Sequence, residues 1–145
     1  MYRLGLVTCW LIFSMGLSLT SAQPAAASQK QLQGSWVASK AEQDGKAADD
    51  VVGHRLSFTG SRFEIVSKDG KMLFAGTFRV SGPAIDFVHQ RGDLKGKTWK
   101  GIYALSGDSL TVCDNAPDLK KRRPTSLEAK SGSGYVLITF SRAKA

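Results

Sequence analysis

Beyond the N-terminal segment the chain carries two histidines, His54 and His89, and one cysteine, Cys113. These are the side chains most able to support acid–base, nucleophilic or metal chemistry. No H-x-H, C-x-x-C or H-E-x-x-H spacing occurs, so a dedicated zinc site lacks its usual ligands. Asp86 and His89 stand three apart in a segment that alternates like a strand, which directs them to opposite faces. A general base needs a positioned partner, and His89 therefore reads as a rim or surface residue. A reactive thiol needs a nearby base or cation. Cys113 is flanked by Val112 and Asp114 and reads as a small buried cysteine. Gly96-Lys97-Thr98 has the form of the end of a phosphate-binding loop, but Arg91 stands where the earlier glycine belongs. The segment also leads into a strand rather than a helix, so no helix N-terminus faces a phosphate. Arg91-Gly92-Asp93 can act as an adhesion tripeptide and reads here as an ordinary polar turn. The expectation is no catalytic residue, no metal and no cofactor.

The sharpest surface feature is Lys120-Lys121-Arg122-Arg123. Four adjacent cations prefer solvent, and such a run is usually a solvated loop. Its functional reading is an anion-binding patch for a cell-envelope polymer or an acidic protein. No aromatic residue is interleaved, which argues against specific nucleic-acid binding by base stacking.

The elements that must position these residues are strands. After the linker no helical period of convincing length occurs. Leu32 to Glu42 with Trp36, Leu56/Phe58 and Phe63/Ile65 alternate apolar with polar residues. So do Met72 to Val80, Ile85/Phe87/His89, Trp99/Tyr103/Leu105 and Leu110/Val112. Asp69-Gly70 is the best hairpin signal, because its residues tolerate the positive φ of a type I′ turn. Asn115 to Pro124 reads as a long basic loop, Ser126 to Ala129 as a short strand, and Tyr135 to Phe140 as the last strand. About nine strands joined mainly by tight turns suggest an antiparallel up-and-down meander; closure into a barrel removes its exposed edges, although alternation by itself does not distinguish a barrel from a sandwich.

Of the 145 residues, 42% are hydrophobic and 22% charged, with a net charge of +8. This composition excludes a disordered or collagen-like chain and leaves room for one domain. Met1-Tyr2-Arg3, the uncharged run Leu4 to Leu19 and Thr20-Ser21-Ala22 together form the pattern of a secretory signal peptide. The run is short for a membrane-spanning helix, which needs about 20 apolar residues. The expected organisation is a signal peptide over 1–22, a flexible linker over 23–31 and a β-barrel over 32–145. The mature protein is then secreted or periplasmic, with no membrane span. Cys9 leaves with the signal peptide, so no intrachain disulfide can form.

Gly34-Ser35-Trp36 resembles the G-x-W signature of lipocalin-like barrels, and Arg142 resembles the arginine that packs across that tryptophan. Leu32-Gln33-Gly34-Ser35-Trp36, Gly76-Thr77-Phe78, Gly96-Lys97-Thr98 and the run Gly101 to Leu110 are similar to an uncharacterised lipocalin-like domain family abundant in planctomycete bacteria. Cys113, Arg123-Pro124-Thr125 and Gly132-Ser133-Gly134 continue the similarity over nearly the whole mature domain. Ala104 departs from a common acidic residue and Leu127 from a usual Phe. The resemblance implies a small barrel of 8–9 strands and export. It implies no chemistry, since the family has no established activity.

The resulting expectation is an exported, non-enzymatic binding module. Its aromatic residues Phe74, Phe78, Phe87, Trp99 and Tyr103 are the candidate ligand wall, and Lys120, Lys121, Arg122 and Arg123 the candidate anion site. The alternative is an exported inhibitor or protein-interaction domain acting through its loops. Eight or nine strands enclose a space that side chains can just fill. At most a narrow pocket near one mouth, suited to a small apolar ligand, is expected.

Overall fold

Period-2 alternation does produce strands over most of the stretches where it occurs among the described residues. The computed structural model describes residues 25–144; the expected signal peptide, residues 1–22, lies outside them. The strands are β1 (Gly34–Gln43), β2 (Lys46–Ala47), β3 (Arg55–Thr59), β4 (Arg62–Val66), β5 (Met72–Ser81), β6 (Ala84–His89), β7 (Thr98–Ser106), β8 (Ser109–Asp114) and β9 (Val136–Arg142). Each long strand pairs antiparallel with the next. β9 returns to β1, from Trp36 opposite Arg142 to Gln43 opposite Val136, with a bulge between Ala38 and Lys40. Eight strands therefore close into an all-β up-and-down barrel, and β2 is an extra strand on β1.

The inward face is the apolar face that alternation implies. Trp36, Leu56, Phe58, Phe63, Phe78, Ile85, Phe87, Leu110, Val112 and Phe140 are all buried. Phe58 packs on Phe78 with ring centroids 4.5 Å apart, and Phe63 meets Phe87 edge-on at 5.0 Å. Gly76 faces both Phe63 and His89 across its neighbours. A Cβ there would lie 1.9 Å from the Val88 carbonyl oxygen, so only glycine lets β5 and β6 approach.

Three local expectations are corrected. Residues 23–31, expected to be a linker, are helical over most of their length: α1 spans Ala25–Leu32. Alanine, glutamine, lysine and leucine favour helix, and the C-terminal carbonyls of α1 find partners on the barrel. Trp36 Nε1 donates to the Leu32 carbonyl at 2.8 Å. Arg142 donates to the Gln31 and Gln33 carbonyls, each at 2.9 Å. Gly34 then ends the helix with φ +107°. Second, Ser126 to Ala129 forms no strand. Its carbonyls are taken by other groups: Gly45 N–H donates to Ala129 at 2.6 Å and the Cys113 thiol to Glu128 at 3.4 Å. Third, Asp69-Gly70 does lie in the connection between the antiparallel β4 and β5, but only the glycine has positive φ there, whereas Asp44 and Gly45 both do. The two-residue turn of type I′ character therefore lies between β1 and β2.

The arginine–tryptophan lock is present, with the Arg142 guanidinium carbon 4.1 Å from the Trp36 ring centroid. With α1, it closes one end of the barrel. No helix among the described residues is long and apolar enough to cross a membrane.

Candidate functional site

Because the strands run alternately up and down, the end opposite α1 is built from the C-termini of β1, β4, β6 and β8 and the N-termini of β3, β5, β7 and β9. A cavity of about 420 Å³ opens there. Its apolar wall includes Val51, Ile65, Leu73, Phe74, Leu94, Trp99, Ile138 and Phe140, and its polar residues are Gln43, Asp50, His54 and Asp114. Leu94 belongs to a short 3-10 turn, Gly92–Leu94, in the β6–β7 loop. That loop folds back through His89 N–H to Lys97 O and Gly96 N–H to His89 O, both 2.9 Å. This fold brings Leu94 over the mouth.

Of the five expected wall residues, Phe74 and Trp99 line the cavity. Phe78 and Phe87 do not: they sit in the core beneath it, 2% exposed. Tyr103 does not either. It lies opposite Val112, nearer the closed end of β7, packed against the core. The correction is one of depth along the barrel axis, since all five positions point inward.

His89 is not a rim residue. It is 1% exposed because rings surround it, with centroids 4.1 Å away at Trp99, 5.4 Å at Phe63 and 5.6 Å at Phe74. Burial lowers its pKa from 6.5 to about 4, so the imidazole is neutral at neutral pH. Among the described residues neither ring nitrogen has a hydrogen-bond partner, nor does Trp99 Nε1. Asp86 does lie on the other face of β6, as the spacing implies, where it pairs with Arg123.

Cys113 is buried, as its neighbours suggest. Burial, and after it the charge of Asp114, push the thiol up to about 11, which leaves no thiolate for nucleophilic work. The residue that sequence reasoning passed over is Asp114. Extending the phase Leu110, Val112 by one step places it inward at the mouth. It is 4% exposed and accepts one hydrogen bond, 2.9 Å from Ala116 N–H to Oδ1. Burial raises its pKa from 3.8 to about 7, although the Ala116 bond acts the other way. Gly101 opposite makes the room, since a Cβ there would lie 2.9 Å from the Asp114 Cβ.

The basic run is divided by the structure. Lys120, Lys121 and Arg122 are exposed. Arg123 is instead a structural residue: it donates to Asp86 Oδ1 at 2.7 Å and to the Gly101 and Ile85 carbonyls at 2.8 and 3.2 Å. The loop is further pinned by buried Asn115, which bonds Lys100 N–H and the Lys121 carbonyl, each at 2.9 Å. Among the described residues no three His, Cys, Asp or Glu side chains form a group that could hold a metal ion. Comparison with protein-family models, curated proteins and solved structures yields no match.

Proposed function

We propose that this chain is an exported, non-enzymatic binding module of the lipocalin-like kind, and that its open end takes one small, largely apolar molecule. The observation that carries the reading is the mouth cavity. Its volume of about 420 Å³ falls within the range of small-molecule sites, about 300–1,000 Å³, and such sites combine apolar walls with a few polar groups. The other end is sealed by α1 and Arg142, so entry is from one side. Export is supported by the charged start, the apolar run and the small residues before Gln23. A mature N-terminus upstream of Ala22 in protein from the native cell would oppose it.

The binding test is titration with an environment-sensitive apolar dye, read through the dye's own emission. Saturable binding is expected, and Ile65→Trp, which fills the cavity, should abolish it while the fold persists. Unchanged binding in that variant, or none in the parent protein, would refute the reading. A second, separate surface is favoured by the exposure of Lys120, Lys121 and Arg122 on a loop held in place by Asn115 and Arg123. That arrangement suits weak, salt-sensitive contact with an anionic envelope polymer.

A further inference from the structure

The mouth cavity inverts the charge of the chain around it. Lys and Arg outnumber Asp and Glu by 20 to 12 in the sequence, yet no Lys or Arg lines the cavity, whereas Asp50 and Asp114 both do. Asp114 is the deeper of the two. Among the described residues it forms no ion pair, and Oδ2 receives no protein donor beside the Ala116 bond to Oδ1. A buried carboxylate without a cation is unfavourable unless it is protonated or finds a counter-charge. The same cavity is also lined by Phe74, Trp99 and Phe140, and aromatic faces attract organic cations.

We propose that the ligand of the mouth cavity carries a protonated amine on a small apolar or aromatic body, and that the Asp114 carboxylate is its counter-ion. The proposal rests on the reading of the cavity as a ligand site and names the chemistry of its occupant. The amine occupies the free Oδ2 side of Asp114, and the apolar body lies against Ile65, Leu94 and Ile138. Bringing a cation to Asp114 favours its ionised form, so binding releases the proton that the buried carboxyl otherwise retains. Asp114 is opposed by Gly101 on β7 and Val136 on β9, neither of which titrates. The other ionisable groups at the cavity are Asp50 and His54.

The test uses the mature protein and three probes of nearly equal shape: 1-naphthylmethylamine, 1-naphthylmethanol and 1-naphthaldehyde. Calorimetry at pH 8 should show the amine bound at least about tenfold more tightly than the alcohol. Asp114→Asn should remove that preference while leaving the alcohol affinity within about threefold. A melt of the variant checks that it folds. If it does not, the same question is put to His54→Gln, which removes the imidazole that lines the cavity beside Asp114. In that protein the preference for the amine should fall between pH 8 and pH 6 as Asp114 takes up its proton. Equal affinity for amine and alcohol, a preference retained in Asp114→Asn, loss of both probes in that variant, or tightest binding of the aldehyde at pH 6 would each overturn the amine assignment. Failure of all three probes to bind would overturn the cavity reading itself.

Discussion

Replacing Asp114 by asparagine is expected to make the barrel acid-sensitive, and replacing His89 by leucine to make it alkali-sensitive. The two groups are buried, 4% and 1% exposed, and both are neutral in their preferred folded forms. His89 is moved from 6.5 to about 4. Its unfolded form therefore binds a proton below pH 6.5 that the folded form refuses. Stability from this group is complete above pH 6.5 and falls with pH down to about 4, by about 3 kcal/mol. Asp114 is moved the other way, from 3.8 to about 7. Its folded form holds a proton that the unfolded form releases above pH 3.8. Its contribution is complete below pH 3.8 and falls as pH rises to about 7, by about 4 kcal/mol. Between pH 4 and pH 6.5 the two slopes oppose each other, and the pair contributes almost no net pH dependence.

Each substitution removes one slope and exposes the other. Denaturant unfolding at half-unit steps from pH 4 to pH 7.5 supplies the free energies. The difference between Asp114→Asn and the parent should change by roughly 3–4 kcal/mol across that window, destabilising toward acid. The difference for His89→Leu should change by about 3 kcal/mol in the opposite sense. Leucine also removes two ring nitrogens that lack partners, so this variant should be at least as stable as the parent at pH 7. Because all other titrating groups are common to the three proteins, they cancel in these differences. A pH-independent difference for either variant would show that the corresponding group is not buried in its neutral form, and the reasoning would fail.

The Trp36–Arg142 lock should couple. Trp36→Ala should cost roughly 3–5 kcal/mol and Arg142→Ala less, and the double variant should be less destabilised than the sum, whereas strict additivity would deny their interaction. In the basic loop, changing Lys120, Lys121 and Arg122 to glutamine should weaken salt-dependent retention on a polyanion column without altering the melting midpoint. Arg123→Gln should instead lower that midpoint, because it strands Asp86 and two strand carbonyls. The reverse pattern would return Arg123 to the anion site.

Much of the barrel was legible because a strand has only two faces. Once Trp36, Phe58, Phe63, Phe87, Leu110 and Phe140 mark the inside, the phase of every neighbouring side chain follows. That local rule also places Asp86 opposite His89 and buries Cys113's neighbours on one face. It leaves depth unspecified. Phe74 and Phe78 share a face of β5, yet one borders the cavity and the other is sealed in the core. Strand stagger and the cover at each end decide between them. The same holds for His89, which ends a strand and looks like a rim residue until Trp99, Phe63 and Phe74 close around it. It holds equally for Arg123, one of four adjacent cations, whose partners Asp86, Ile85 and Gly101 come from strands far away in sequence. Sequence alone determined which residues face inward, because alternation is a property of one strand. The tertiary structure decided which end stays open and which buried groups meet there, because both depend on how separate strands and α1 stack along the barrel axis.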